Sequence, residues 1–295
     1  MSEVLVRPMR GTDVEMFADI SATSYYEVDT RTHQRAWPDP VRRPASRNGH
    51  WIRRTRQALV TDPGGCWTAE VDGRVVGGAV SRVRELMWLL ASFAVEPGHQ
   101  GQGIGTQLMA AAMHHGRGCL RGMFAASSDP GAVRRYRLAG FDLHPQMLLT
   151  GVVDRGAIPV VERVREGTAG DLDLLDSVDR RTRGAAHLGD HELLLDQFRL
   201  VVTDHSTGSG YAYVDADGSP CLLAATNRRT AAKLMWEALA SSGPGEQVSV
   251  HHITAANQWA LDVGLTARLA IYQSGYLCVR QMKPPTPYLH HGSLL

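Results

Sequence analysis

The sequence predicts an α/β fold of the mixed α+β kind, laid out as two copies of one unit. Each copy is expected to be a mostly antiparallel mixed sheet flanked by helices. Three observations carry that expectation. Between Leu89 and His115 a strand pattern runs through a glycine-rich turn into a helix pattern. Ahead of it, three strand signals follow in series around an Asp72-Gly73 hairpin turn. The pattern of the first half then recurs in altered form in the second.

Taken in order, Val4 to Pro8 alternates as a short strand, and Thr12 or Asp13 is placed to cap a helix reaching about Tyr26. Residues 31–56 hold Arg31, Arg35, Arg42, Arg43, Arg47, Arg53, Arg54 and Arg56 against one acid, Asp39. Pro38, Pro40 and Pro44 break the first half of this stretch into loop, and Trp51 to Val60 reads as helix. Its plain reading is a solvated connection; the sharper one is a rim facing an anion. Cys66 to Val71, Arg74 to Val83 and Glu85 to Val95 are the three strands of a meander. Leu89 to Val95 is apolar with a β-branched, aromatic end, and Pro97 and Gly98 stop it. From Ile104 onward, Leu108, Met109, Ala112 and Met113 recur at helical spacing.

Between strand and helix, Gly101, Gly103 and Gly105 alternate with Gln102 and Ile104. Glycines let successive backbone N–H groups converge on one point, and the helix N-terminus adds its partial positive charge. That combination cradles phosphate oxygens. No Lys-Ser/Thr pair follows the last glycine, which excludes a Walker loop, and the spacing is not that of a dinucleotide fingerprint.

Gln100-x-x-Gly103-x-Gly105, preceded by Ala94-Val95-x-Pro97, resembles the acyl-CoA-binding motif of the GNAT superfamily of N-acetyltransferases. A second stretch, Ala132-x-x-x-Tyr136-x-x-x-Gly140-Phe141, looks like the family's other motif, on a helix opening at Asp129-Pro130. The resemblance implies acetyl-CoA as cosubstrate, held by Phe93, Ala94 and Val95, by Gln100, Gly101, Gln102, Gly103, Ile104, Gly105 and Thr106, and by Ser127. It implies transfer of the acetyl group to a primary amine of a small molecule or peptide, by direct attack in a ternary complex. A backbone N–H at a strand bulge about Phe93 to Val95 would hold the oxyanion, and Tyr136 would protonate the departing thiolate. Many members carry Asn where Ser127-Ser128-Asp129-Pro130 stands here. The segment between the first two strands would furnish the acceptor wall, making Tyr25, Tyr26, Trp37 and Trp51 candidate lining. For the general base the residues leave several carboxylates open. Leu89 stands where some members place a glutamate, while Glu70, Glu85 and Glu96 are near only in sequence. The tandem layout also resembles the enhanced-intracellular-survival acetyltransferases, which makes Leu295 a candidate.

Around Val152 to Pro159 the chain resets, and Thr168-Ala-Gly-Asp171 repeats the opening cap. Leu222-Leu223-Ala224 answers Leu89-Leu90-Ala91, and the Ala255 to Leu265 stretch answers the helix ending at Gly140-Phe141. From Leu89 to Gly140 is 51 positions, whereas from Leu222 to Gly264 is 42. The loss falls on the glycine-rich turn, now Thr226-Asn-Arg-Arg-Thr-Ala-Ala-Lys233, and Ala260 replaces the counterpart of Tyr136. The expected division is 1–152 for the catalytic unit, 153–283 for a degenerate copy, and 284–295 for an extended, loosely packed tail. His290-His291 is too short for a metal cluster.

A net charge of +1 draws neither nucleic acid nor a membrane surface, and the Arg31–Arg56 stretch lacks a recognition motif. Four separated cysteines without C-x-x-C argue against a disulfide scaffold or metal site, and fit a reducing compartment. The opening MSEVLVRPMR carries no signal-peptide core, and no apolar run spans a bilayer. A cytoplasmic protein without metal or membrane partner is expected, with homodimerisation left open. The competing class is a non-catalytic acyl-CoA sensor or scaffold.

Overall fold

The computed structural model describes residues 3–35 and 37–295. The chain divides into two compact units, Met1–Asp142 and Leu143–Leu295.

The first unit opens with β1 (Val4–Pro8), then α1 (Val14–Thr32) and α2 (Ala45–Thr61). α1 outruns its expected end because no breaker intervenes. The hydroxyls of Thr30 and Thr32 donate back to the carbonyls of Tyr26 and Val28. Next come β2 (Cys66–Val71), β3 (Arg74–Arg84) and β4 (Met87–Val95), the meander the sequence predicts. α3 (Ile104–His115), β5 (Arg121–Ala126) and α4 (Pro130–Leu138) complete the unit. The sheet order is β1-β2-β3-β4-β5, antiparallel as far as β4, with β5 parallel to β4.

Alternation along β3 and β4 sorts their side chains between two faces. Val80 and Ala94 meet Phe17 of α1 and Trp51 of α2, whose rings lie edge to face at 5.3 Å. Ser81 points the other way, donating to the Ala112 carbonyl of α3.

The second unit begins with β6 (Asp142–Val152), which the sequence assigns to the first copy. An 11-residue strand needs partners, and β6 finds them downstream, lying between β11 (Gln247–Thr254) and β12 (Ala270–Arg280). Its boundary therefore falls ahead of that strand. In chain order follow β7 (Arg165–Glu166), α5 (Leu172–Thr182), α6 (Asp190–Leu195), β8 (Arg199–His205), β9 (Gly208–Val214) and β10 (Pro220–Ala225). Then come α7 (Arg228–Ala240), β11, α8 (Gln258–Thr266), β12 and β13 (Tyr288–Leu289). A second sheet runs β13-β10-β9-β8-β7.

The tail is not a loose arm. Tyr288, Leu289, His290, Leu294 and Leu295 are all buried, and β13 pairs antiparallel with β10. Asn257 fixes it, accepting from the Tyr288 N–H at 3.0 Å and donating to the Pro285 carbonyl at 3.1 Å.

Candidate functional site

The site grows from the edge of β4 that β3 does not use. Register places Ala91 as an extra residue on β4, since Val80 pairs with Ser92 while Ser81 pairs with Leu90. The bulge thus lies at Ala91, short of the expected Phe93–Val95, because that is where the β3 ladder slips by one. Beyond it the Glu96 N–H bonds the Val76 carbonyl, so ladder bonds fall on Ser92, Ala94 and Glu96. Phe93 and Val95 therefore turn their N–H and C=O groups to the opposite edge. β5 pairs with β4 only at Met87, Trp88 and Leu89 and then parts from it. A wedge opens along Leu90 to Val95, with the N–H groups of Phe93 and Val95 on one wall.

The turn follows at once. Gly101 and Gly103 adopt φ of +78° and +85°, a region L side chains avoid. A Cβ at either would meet no atom within 4 Å, so the space above the turn is open. Gly103 is the N-cap of α3 and no side chain caps that helix. Thr106 and Gln107 N–H both bond the Gly103 carbonyl, leaving Ile104 and Gly105 N–H ahead of the first helical bond. Not every polar residue here faces outward. The Gln100 amide braces the turn by donating to the Val95 carbonyl at 2.9 Å, and Gln102 donates to Gly98 at 3.3 Å. Ile104 anchors the helix in the core, while Thr106 is exposed.

α4 forms the far wall. Asp129 caps it by accepting from Ala132 N–H at 2.7 Å and pairs with Arg31 at the end of α1. Ser127 lies just ahead, its hydroxyl 3.5 Å from the Asp129 N–H. Tyr136 is buried, its ring edge-on to Phe124 at 4.6 Å and to Phe93 at 6.2 Å. The tyrosine and the Phe93 strand edge, distant in sequence, thus meet. Beside it, Arg135 lays its guanidinium against the first turn of α3. A Cβ on Gly105 would come within 3.0 Å of its Cζ and Nη1. The buried Arg135 Nε has no hydrogen-bond partner. A cation at a helix N-terminus is the wrong sign, disfavoured by about 0.3–1 kcal/mol.

On the other face of β4, Tyr25 OH donates to the Phe93 carbonyl at 3.4 Å and Ser24 Oγ to the Val95 carbonyl at 3.1 Å. Ser92 shares that face, its Oγ buried without a partner. Neither Ser92 nor Arg135 stood out in the sequence, because both signals are absences created by packing. Trp51 is buried in the core, with Arg43 over its ring at 5.2 Å. Trp37 is half-buried and Tyr26 exposed, with no contact to β4 described. The arginine stretch is largely spent internally. Arg43 donates to Ser21, and Arg56 pairs with Glu15. Burial, with Arg82 and Arg43 nearby, pushes Arg54 down to about 10.

The carboxylates near the motif are committed. Arg74 bonds Glu96 at 2.6 Å and holds its carboxyl below the usual range, and Arg7 pairs with Glu70. Glu85 sits in the β3–β4 turn with φ of 53°. Leu295 is buried in the second unit, its carbonyl accepting from Arg183.

The corresponding places of the second unit are built differently. Asn227 caps α7, its side chain accepting from Thr230 N–H at 2.9 Å, so that helix end is closed. Ala260 is core. The edge of β10 corresponding to the β4 wedge is filled by β13, with Leu223 opposite Leu289 and Ala224 opposite Tyr288.

One buried polar cluster lies in that unit. His187 Nδ1 and His191 Nε2 approach Asp179 Oδ2 at 2.6 and 3.1 Å, and Tyr211 OH donates to Oδ1 at 2.5 Å. Tyr213 and Tyr288 phenols meet the remaining imidazole nitrogens at 3.1 and 3.4 Å. Burial alone would raise the Asp179 carboxyl, but His187, His191 and Arg183 hold it well below the usual range. Burial, then Arg183, pushes His187 down to about 4. These bonds tie the α5–α6 connection and the tail into one network.

An open strand edge thus leads into an uncapped helix N-terminus, with a tyrosine-bearing helix opposite. Residues 22–141 match the acetyltransferase (GNAT) family, nearly the whole first unit. That match lies within the first unit, and the solved structures that resemble the whole chain include GNAT proteins. The chain is similar to an inferred acetyltransferase from Pyrococcus horikoshii, at 18% identity and a TM-score of 0.74, covering 99% of this chain and 95% of that one. A GCN5-related N-acetyltransferase from Sphaerobacter thermophilus aligns at 14% identity and TM-score 0.60, over 95% of this chain and 96% of that one. A tandem GNAT protein from the clavulanic acid biosynthesis pathway aligns at 14% and 0.59, over 96% and 99%. At these identities the likeness is one of fold. No curated protein matches the chain. Among the described residues no helix is long and apolar enough to cross a membrane.

Proposed function

We propose that the chain transfers an acetyl group from acetyl-CoA to an amine of a small molecule or peptide, both held together on the first unit. The observation that supports this best is the β4 wedge, whose Phe93 and Val95 N–H groups run directly into the open end of α3. Three features of the chain fit the donor: the unpaired strand edge for amide groups of its arm, glycines at positive φ, and free N–H groups for its phosphates.

The thioester supplies the acyl carbon and the thiolate leaving group. Strand edge and turn fix its position, so that attack becomes effectively intramolecular, an effect of roughly 7–11 kcal/mol. An N–H on the β4 edge donates to the oxygen that gains charge. Tyr136 gives its phenolic proton to sulfur as the C–S bond breaks, and the proton shed by the attacking amine restores the phenol. The face of β4 carrying Tyr25 and Ser92 is assigned to the acceptor.

The test is Tyr136→Phe with a panel of small amines and amino-terminal peptides, following thiol release. Turnover should fall about 100-fold or more, with acetyl-CoA affinity within about twofold of wild type. Unchanged turnover would remove Tyr136 from the mechanism. Thiol release with none of the amines above the hydrolysis background counts against the amine acceptor.

A further inference from the structure

We propose that Arg135 is the cation that seats the diphosphate of the donor, so that the first unit selects free CoA thioesters over thioesters of pantetheine alone. The inference rests on the acyl-CoA reading above and adds a residue and a donor specificity to it.

Three placements converge on Arg135. Its guanidinium lies on Gly105, in the first turn of α3, where a Cβ would stand 3.0 Å from Cζ and Nη1. That turn has no side-chain cap and no acidic residue. The Arg135 Nε is buried and without a partner. A positive side chain held against the positive end of a helix, with no carboxylate in between, is an electrostatic conflict within the protein alone. An anion lying over both removes it, because helix N–H groups and guanidinium then share one negative charge distribution. A planar guanidinium suits a diphosphate, whose oxygens accept two parallel N–H bonds.

Neighbouring residues on a helix point about 100° apart, so α4 presents Arg135 to α3 while Tyr136 faces Phe93 and Phe124. Binding of the diphosphate therefore draws α4 onto α3 and seats Tyr136 by the same contact. A thioester lacking the diphosphate gains neither.

Calorimetric titration of acetyl-CoA and of S-acetylpantetheine into wild type, Arg135→Leu and Arg135→Lys decides the matter, with thermal melts of the unliganded proteins. Arg135→Leu should bind acetyl-CoA about 10- to 100-fold more weakly, with Arg135→Lys in between. S-acetylpantetheine should bind all three alike and more weakly than acetyl-CoA binds wild type. Unliganded Arg135→Leu should melt at or above the wild-type temperature, since the conflict is gone. A merely structural arginine would lower it instead. Equal acetyl-CoA affinity for wild type and Arg135→Leu overturns the inference while leaving the acyl-CoA site standing. If wild type binds no acetyl-CoA, the acyl-CoA reading falls and this one with it.

Discussion

Gly103 and Asn227 each stand at the N-cap of a helix that follows a strand, and the contrast between them separates the proposed binding site from a packed corner. Gly103 takes a φ of +85° and leaves α3 uncapped, whereas Asn227 turns its own carbonyl onto the Thr230 N–H. The first arrangement forgoes a cap worth about 1 kcal/mol and keeps donors for a ligand; the second takes the stability. Asn227→Ala should accordingly lower stability by about 1 kcal/mol in denaturant unfolding, without creating an acyl-CoA site. A loss below about 0.2 kcal/mol would mean the cap is idle. Gly103 was legible because its dihedral preference is local, whereas the cap at Asn227 was passed over in the sequence. Arg135, Ser92 and the Ala91 bulge were not legible, since each acquires meaning only from the element packed against it.

At the scale of elements, the decisive object is a strand edge. β4 keeps its edge open past Leu89, while β10 gives the equivalent edge to β13. The strand–turn–helix order and the meander could be read from apolar spacing, and so could the missing glycines of the second copy. The placement of β6 and of the tail could not, because strand pairing at long range leaves little trace in spacing. The prolines at 284, 285 and 287 argued only that the tail is not helical, which β13 respects. Leu289 is 1% exposed within the second unit's core, so Leu289→Asp buries an unpaired carboxylate there. A destabilisation of more than about 3 kcal/mol is expected from thermal or denaturant melts. A variant melting with the wild type would show the tail to be dispensable.

For the molecule as a whole, buried neutral histidines set how it answers acid. Burial pushes His187 and His290 down to about 4, and His252, stacked on His290 at 4.1 Å, is lowered as well. Their value in the unfolded chain is near 6.5, so below that pH the unfolded chain takes up protons that the folded one refuses until about 4. Stability should therefore hold above pH 6.5 and fall between 6.5 and 4, by up to about 1.4 kcal/mol per pH unit for each such histidine. Asp179, held ionised, adds to the loss only below about pH 4. A melting temperature unchanged from pH 7.5 to 5 would contradict this.

The central claim is that one unit binds the donor and the other, closed by Asn227 and β13, does not. Calorimetric titration of the full chain with acetyl-CoA tests it most directly. The prediction is one site per chain, abolished by Gly103→Val, whose β-branched side chain cannot hold the φ of +85°. Two sites, or one that survives Gly103→Val, would contradict it.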